Sequence, residues 1–303
     1  MMISDNWGEL LLPGLRKIYD KHMGKLKDYV PALFNVEGSG KAQEFTTGTG
    51  SLGLMEEWNN SGRQVAYEDI NKGFKATYTH KKFSKGLLIE RELLEDDLYA
   101  EIKKRARKLA DSVYYTRQYY AASVFNNAFS ASHNGPDGKP LCAAGHPLGP
   151  ESSGTWSNAG SGSDWALNAD TVEKARNKMM EWTDDKGNLL AINPDTLIVP
   201  PALRKAALVI ADSDKEPDSI ENNVNIWKGS VNVIEFPFLT NPTAWFLVDM
   251  SRMKNYLNWF DRRKAKLEKD KLDFDTEVAK YKVVARFSFG WDDASFVFGA
   301  KVS

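Results

Sequence analysis

One long helical pattern constrains this chain more than any other feature. It reads DDLYAEIKKRARKLADSVYYTRQYYAASVFNNAF and covers residues 96–129. At about 100° per residue, the apolar side chains Leu98, Ile102, Ala106, Leu109, Val113, Tyr120 and Val124 fall within an arc of about 80°. A continuous helix of this length would extend about 50 Å, which is unusually long for a compact domain. The sequence therefore predicts one long structural helix against which the rest of the fold packs.

The side of this helix opposite the apolar arc is basic. Lys103, Lys104, Arg107 and Lys108 fall there. The two aspartates at the start of the pattern are suited to capping the free backbone N–H groups of the helix. A run of this kind usually forms a solvated face. The alternative is a surface that contacts nucleic acid.

Two patterns precede the long helix. Residues 1–45 contain a short basic segment that alternates with leucine and isoleucine, which predicts an amphipathic helix in an arm. Residues 63–80, RQVAYEDINKGFKATYTH, alternate apolar and polar side chains on both sides of INKG, which predicts a β-hairpin with its turn there. The alternating apolar positions are Val65 and Tyr67 on one strand and Phe74, Ala76 and Tyr78 on the other.

A second unit follows the long helix. The Gly/Ser-rich stretch at 149–164 has no periodicity and predicts a linker at a domain boundary. Beyond it, a helix beginning at Asn168 or Asp170 alternates with the strand DTLIVP, the helix PALRKAALVIAD and the strands VNVIEFPFL and TAWFLVD. The tail is again rich in strand patterns. The predicted fold class is α+β.

Composition and charge exclude several functional classes. The 303 residues carry 40 basic and 41 acidic side chains, so no bulk attraction to nucleic acid is expected. A single cysteine forms no internal disulfide, which fits a reducing cytoplasm. The first residues lack the charge pattern of a secretion signal, and no apolar run is long enough for a membrane-spanning helix.

The order of these parts resembles the major capsid proteins of tailed phages, which share the Hong Kong 97 capsid fold, and within them the major head subunit family of Mu-like phages. DGKPLCAAGHPL resembles the family's loop in which an Asp-Gly turn precedes His-Pro. PDTLIVPPALRKAA resembles its strand-to-helix segment with two prolines, and NIWKGSVNVIEFPFL and WFLVD resemble strands of its axial domain. Together these segments cover most of the chain from about residue 87 onward.

The resemblance implies a division of the chain and a function. It implies a structural major capsid protein, not an enzyme and without a cofactor, that assembles through pentamers and hexamers into an icosahedral shell around phage double-stranded DNA. Assembly would take place in the cytoplasm of the bacterial host. The implied parts are an N-terminal arm at 1–45, an extended loop with a β-hairpin at 46–90, a peripheral domain at 91–165 and 256–303, and an axial domain at 166–255.

The resemblance also implies contacts and partners. In this family the extended loop reaches across a neighbouring subunit, so Val65, Tyr67, Phe74 and Tyr78 are expected at that contact. The long helix is expected to face the packaged DNA through the four cations of its basic side. A portal and a separate scaffold are expected, since the chain has no room before the arm for a large built-in scaffold; an earlier cleavage would also explain its start.

Two other functions stay open from the sequence. An encapsulin-like compartment has the same fold and encloses protein cargo. A metal-dependent hydrolase could use His133, Cys142 and His146, which lie in the loop HNGPDGKPLCAAGHPL. The spacing of these three residues is irregular for zinc and other enzyme motifs are missing, so structural histidines and an incidental cysteine are expected. The acidic pairs Glu56–Glu57, Asp184–Asp185 and Asp292–Asp293 are expected to be surface charge.

Overall fold

The computed structural model describes residues 7–55, 57–58, 64–65, 67–96, 98–215, 224–269 and 278–302. The predicted long helix is present as α4, Tyr99–Asn126. Its N-cap residue is Leu98, which makes no side-chain capping bond, and Asp96 instead donates its backbone N–H to the carbonyl of Glu92 in the preceding turn. Asp96 is therefore not the predicted cap, and Asp97 lies outside the described residues.

The other helices of the described residues are shorter than α4. They pack against α4 or against one of the two larger sheets, and none of them or α4 is long and apolar enough to cross a bilayer. Their bounds are α1 (Trp7–Met23), α2 (Val30–Leu33), α3 (Glu92–Glu95), α5 (Ala169–Met180), α6 (Arg204–Asp212) and α7 (Met250–Tyr256).

The strands of the described residues form two larger sheets and two ribbons, which confirms the α+β class. The first sheet has the order β1-β11-β12-β4, and the second has the order β7-β13-β10-β8-β9. Their bounds are β1 (Asn35–Gly38), β2 (Gln43–Thr49), β3 (Lys72–Thr79), β4 (Lys81–Glu90), β5 (Ala144–Pro147), β6 (Thr155–Ser157), β7 (Ala159–Ser161), β8 (Thr196–Val199), β9 (Asn232–Glu235), β10 (Trp245–Val248), β11 (Leu257–Lys269), β12 (Val278–Trp291) and β13 (Val297–Lys301).

The long helix lies on one face of the first sheet. Ile102, Ala106 and Leu109 pack there against Tyr281 and Val283 of β12, so the predicted apolar arc is core over most of its length. Leu98, at the N-terminal end of the arc, is exposed. Toward its C-terminal end, α4 also packs against the second sheet, which joins both units in one apolar cluster.

The N-terminal segment is packed onto the long helix over its described part. Leu15 and Tyr19 of α1 are buried in the cluster that α4 shares with the first sheet. Arg117 of α4 then binds Asp28 and Asp261 at 3.1 and 3.0 Å, and its guanidinium lies over the Trp259 ring. This part of the predicted arm is therefore integrated into the chain's own core.

Two expected loop structures differ in detail. The stretch at 149–164 contains strands β6 and β7, and β7 completes the edge of the second sheet. The extended loop is a β-ribbon, but β3 pairs with β2 rather than with residues 63–70. Among the described residues of 63–70 no strand forms, so the predicted hairpin with its turn at INKG is wrong.

Candidate assembly interface

The base of the ribbon is fixed by a partly buried polar cluster. The Tyr78 hydroxyl and the Thr46 hydroxyl both donate to Asp292, and the Asn258 amide donates to the other oxygen of the same carboxylate at 2.8 Å. The Tyr78 ring also contacts Phe260, with ring centroids 5.0 Å apart. Burial, together with the nearby Asp292 charge, raises the pKa of Tyr78. Asp292 therefore ties the ribbon to the first sheet and is not simply surface charge.

His80 lies at the junction between β3 and β4. Its Nδ1 is 2.9 Å from the Ser288 hydroxyl and its Nε2 is 3.0 Å from the Ser39 hydroxyl. Burial lowers the pKa of this imidazole, and the positive charge of Arg286 lowers it further. The junction is thus held by a neutral ring between two hydroxyl groups.

The far end of the ribbon presents apolar side chains to solvent. The exposed fractions are 85% for Leu54, 99% for Met55 and 94% for Tyr67, and Val65 is also exposed. None of the residues that the structure describes buries them. Because exposed apolar groups of this size in one segment mark an interaction surface, we define residues 52–55 and 64–70 as the ribbon tip, taking only their described members.

The structure places the predicted contact residues in different surroundings. Val65 and Tyr67 belong to the ribbon tip, whereas Phe74 is half-buried and Tyr78 lies in the chain's own core. Leu54 and Met55 were missed, because the stretch that contains them has no periodicity and many glycines. The only indication of a contact in this stretch of sequence is a group of apolar residues that no predicted helix or strand would bury.

The ribbon tip is held close to the second unit. Glu68 pairs with Lys186 and also accepts the backbone N–H of Gly53 at 3.0 Å. The backbone N–H of Ser51 donates to Asp185 at 2.9 Å. A cleft of about 460 Å³ lies between the ribbon and the body of the chain. These contacts orient the tip while leaving its apolar side chains outside.

The basic side of α4 is solvent-exposed, as the sequence predicted. Lys103, Lys104, Arg107 and Lys108 all have exposed side chains. Lys104 lies 3.5 Å from Glu101, and Lys108 lies 3.9 Å from Asp111. Exposed pairs of this kind contribute little to stability, so the basic side remains available to a polyanion.

The histidine and cysteine loop does not bring its three candidate residues into one site. His133 is exposed, whereas Cys142 is buried against Gly299, and burial raises the pKa of its thiol. His146 is buried, stacks on Trp156 and contacts Asp137 at 2.5 Å and Asn158 at 3.0 Å. In the described part of the chain, no three His, Cys, Asp or Glu side chains are arranged to hold a metal ion.

Comparison with known proteins points in one direction. A family model described as phage capsid protein matches residues 75–300. The capsid of bacteriophage JBD30 shares 14% identity with a TM-score of 0.58, covering 79% of this chain and 100% of that one. The mature capsid of bacteriophage PhiM1 shares 12% identity with a TM-score of 0.56, covering 89% and 85%.

A third solved structure is a virus-like particle from Pyrococcus furiosus. It shares 11% identity with a TM-score of 0.56, covering 96% of this chain and 99% of that one. No curated protein matches this chain. Likeness at this level of identity establishes the shared fold.

Proposed function

Because this chain belongs to the phage capsid protein family, we propose that its copies join through the ribbon tip into an icosahedral head around packaged double-stranded DNA. The chain is a structural major capsid protein with the capsid fold of tailed phages, and its place is the virion capsid. The family match over residues 75–300 is the observation that carries this conclusion.

The ribbon tip supports the proposed contact between subunits. Leu54, Met55 and Tyr67 are almost fully exposed, although the base of the same ribbon is fixed by partly buried hydrogen bonds. An apolar tip on a fixed base suits an interface in which a neighbouring subunit supplies the missing cover. The same surface would then serve every subunit of the shell, whose neighbours differ slightly in angle.

The basic side of α4 supports a contact with DNA. Its four cations are exposed on the face opposite the core, and contacts between lysine or arginine and phosphate carry no sequence information. The contact would weaken as salt increases.

Two finer parts of the proposal are membership of the Mu-like group and assembly in the host cytoplasm with a separate scaffold and a portal.

A protein-filled compartment of the encapsulin type is the second candidate. The Pyrococcus furiosus virus-like particle and the PhiM1 capsid have the same TM-score, 0.56, so the structural comparison favours neither. The fold alone does not separate the two, whereas the family match favours the phage head.

Electron microscopy of the purified protein tests the proposal. We expect closed shells of uniform size when the chain is produced alone or with the scaffold of its phage. In virions, the shells should contain double-stranded DNA that resists nuclease until they are opened. Shells filled with a single cargo protein would support the compartment instead, and a protein that never forms shells under either condition would contradict both.

A further inference from the structure

A basic groove separates the N-terminal half of α4 from β4. Its volume is about 230 Å³, and its charged lining consists of Lys85 from β4 and Glu101, Lys104, Arg105 and Lys108 from α4. It therefore gathers four cations and one carboxylate. Two of these cations, Lys85 and Arg105, are not among the residues that the sequence indicated.

The two elements place these side chains together for simple geometric reasons. Side chains alternate along a strand, so Lys85 points to the same side of the sheet as Leu87 and Ile89, which is the side that α4 covers. Residues three and four apart share one face of a helix, which aligns Glu101 with Lys104, Arg105 and Lys108. The groove is thus built into the packing of α4 on β4.

One of the cations is fixed in position. Arg105 donates from Nη1 to the backbone carbonyl of Leu88 at 3.1 Å, which holds the guanidinium against β4. Leu87 and buried Leu109 form the apolar part of the groove, and contact with apolar surface strengthens charge interactions relative to open water.

The charge of the groove is not balanced by its own carboxylate. Glu101 lies 3.5 Å from Lys104, and Lys108 lies 3.9 Å from Asp111 outside the groove, so the excess of positive charge within the groove comes from Lys85 and Arg105. Like charges held this close repel one another. An anion with several acceptor oxygens would offset that repulsion and could bind the guanidinium and the ammonium groups together.

We propose that this groove binds phosphate groups. A groove of about 230 Å³ has room for a hydrated phosphate group among these cations. If the proposed function is right, the backbone of packaged DNA supplies the phosphate; free inorganic phosphate has the same chemistry. In either case the groove would hold a phosphate more firmly than the neighbouring exposed cations do.

A matched pair of variants tests this proposal. The groove variant carries Lys85→Gln, Lys104→Gln and Lys108→Gln and keeps Arg105. The control carries Lys82→Gln, Lys266→Gln and Lys282→Gln, which removes the same charge from exposed lysines of the first sheet that lie outside both the groove and the basic side of α4. Binding of a fluorescent 20-base-pair duplex by full-length unassembled subunits is measured by anisotropy at several salt concentrations.

The groove variant should lose at least about tenfold in duplex affinity and show a shallower salt dependence, whereas the control should lose less than about threefold. Equal losses in both variants would overturn the proposal, since charge alone would then explain binding. Thermal melting checks the fold, and the single change Lys104→Gln replaces the triple variant if that variant does not fold.

Inorganic phosphate, titrated by calorimetry, separates the two sources. Binding of phosphate that is lost in the groove variant while duplex affinity stays constant assigns the groove to the free anion. Loss of duplex affinity assigns it to DNA. No change in either measurement contradicts the inference, even if the same variant forms normal shells and so leaves the proposed function intact.

Discussion

The sequence predicts Tyr78 at a contact with a neighbouring subunit, whereas the structure places it in the core of its own chain. Its position in an alternating strand predicted a buried face, which is right, but the partner is the chain's own Phe260 and Asp292 rather than a neighbouring subunit. Alternation along a strand reports that a side chain is buried and says nothing of which element buries it.

Replacing Tyr78 with Phe should therefore reduce the stability of the subunit. The change removes a hydrogen bond to a carboxylate, which is worth about 1.5–3 kcal/mol, and keeps the ring against Phe260. Chemical denaturation should show a lower free energy of unfolding. The matched control is Tyr119→Phe, at an exposed tyrosine of α4, which should change stability by less than about 0.5 kcal/mol. Equal effects of both changes would contradict the anchoring role of Tyr78.

His80 gives the junction a dependence on pH. Burial, and then Arg286, lower its pKa below the ordinary value of 6.5, whereas Glu44 opposes this shift and Arg262 adds to it. The unfolded chain therefore binds a proton on this residue more tightly than the folded chain does. The stability that neutral His80 contributes is complete above pH 6.5 and is lost as the pH falls from there toward the folded pKa.

Measurements of unfolding free energy between pH 7.5 and pH 5 test this dependence. We expect the stability of the unchanged protein to fall as the pH decreases, and the fall to be smaller in a His80→Gln variant. His133→Gln is the control, since it makes the same substitution at an exposed position. A slope that His80→Gln does not reduce would show that other groups cause the decline.

At the scale of elements, local patterns were predicted well and pairing was not. The period of α4 depends on residues three and four apart, so the sequence alone located it within a few residues. The pairing of β3 with β2 crosses the whole ribbon loop, and the glycine of INKG suggested a turn instead. The two ends of that loop carry no signal that identifies them as partners.

The position of Gly73 explains why the predicted turn at INKG is wrong. A Cβ at Gly73 would lie 2.6 Å from the backbone carbon of Gly48, so this glycine permits close approach of β2 and β3. Its backbone is not in the left-handed region that a glycine turn requires. A glycine that serves strand contact and a glycine that serves a turn look the same in a sequence.

Gly73→Ala should accordingly disturb the ribbon and spare the rest of the subunit. The new methyl group would force β2 and β3 apart, so assembly into shells should fall while circular dichroism of the unassembled subunit stays close to that of the unchanged protein. Gly86→Ala is the matched control in a strand, because a Cβ there meets its nearest atom at 3.6 Å. Normal assembly of the Gly73 variant would show that the ribbon tolerates the separation.

In the molecule as a whole, the side chains that form the folded core are different from those that we propose join the subunits. The buried clusters lie around α4 and in the second sheet, whereas Leu54, Met55 and Tyr67 stand outside them. The sequence predicted the class, the long helix and the order of parts, since these follow from periodicity and from the resemblance. It predicted only Val65 and Tyr67 of the ribbon tip and only Lys104 and Lys108 of the basic groove. It did not predict the anchor at Asp292, because that anchor joins residues that are distant along the chain.

Replacing residues 51–70 with a short Gly-Ser connection should therefore leave a folded protein that does not form shells. The design keeps β2, β3 and the Tyr78 anchor, so a cooperative thermal transition is expected. Sedimentation velocity should show small species in place of large particles. Normal shells would contradict the proposed role of the ribbon tip, and loss of folded protein would show that the segment belongs to the subunit's own core.

The connection between the two sheets has a mechanical consequence. Leu257 at the start of β11 lies opposite Trp291 at the end of β12, and the chain passes from this same end into the second unit through α7 and the turn before β13. A tensile load on the second unit would pull both β11 and β12 in the same direction, along the length of the two strands. Because the bonds of an antiparallel ladder lie across the strands, the ten paired positions between β12 and β4 would resist in shear as a set instead of opening one at a time.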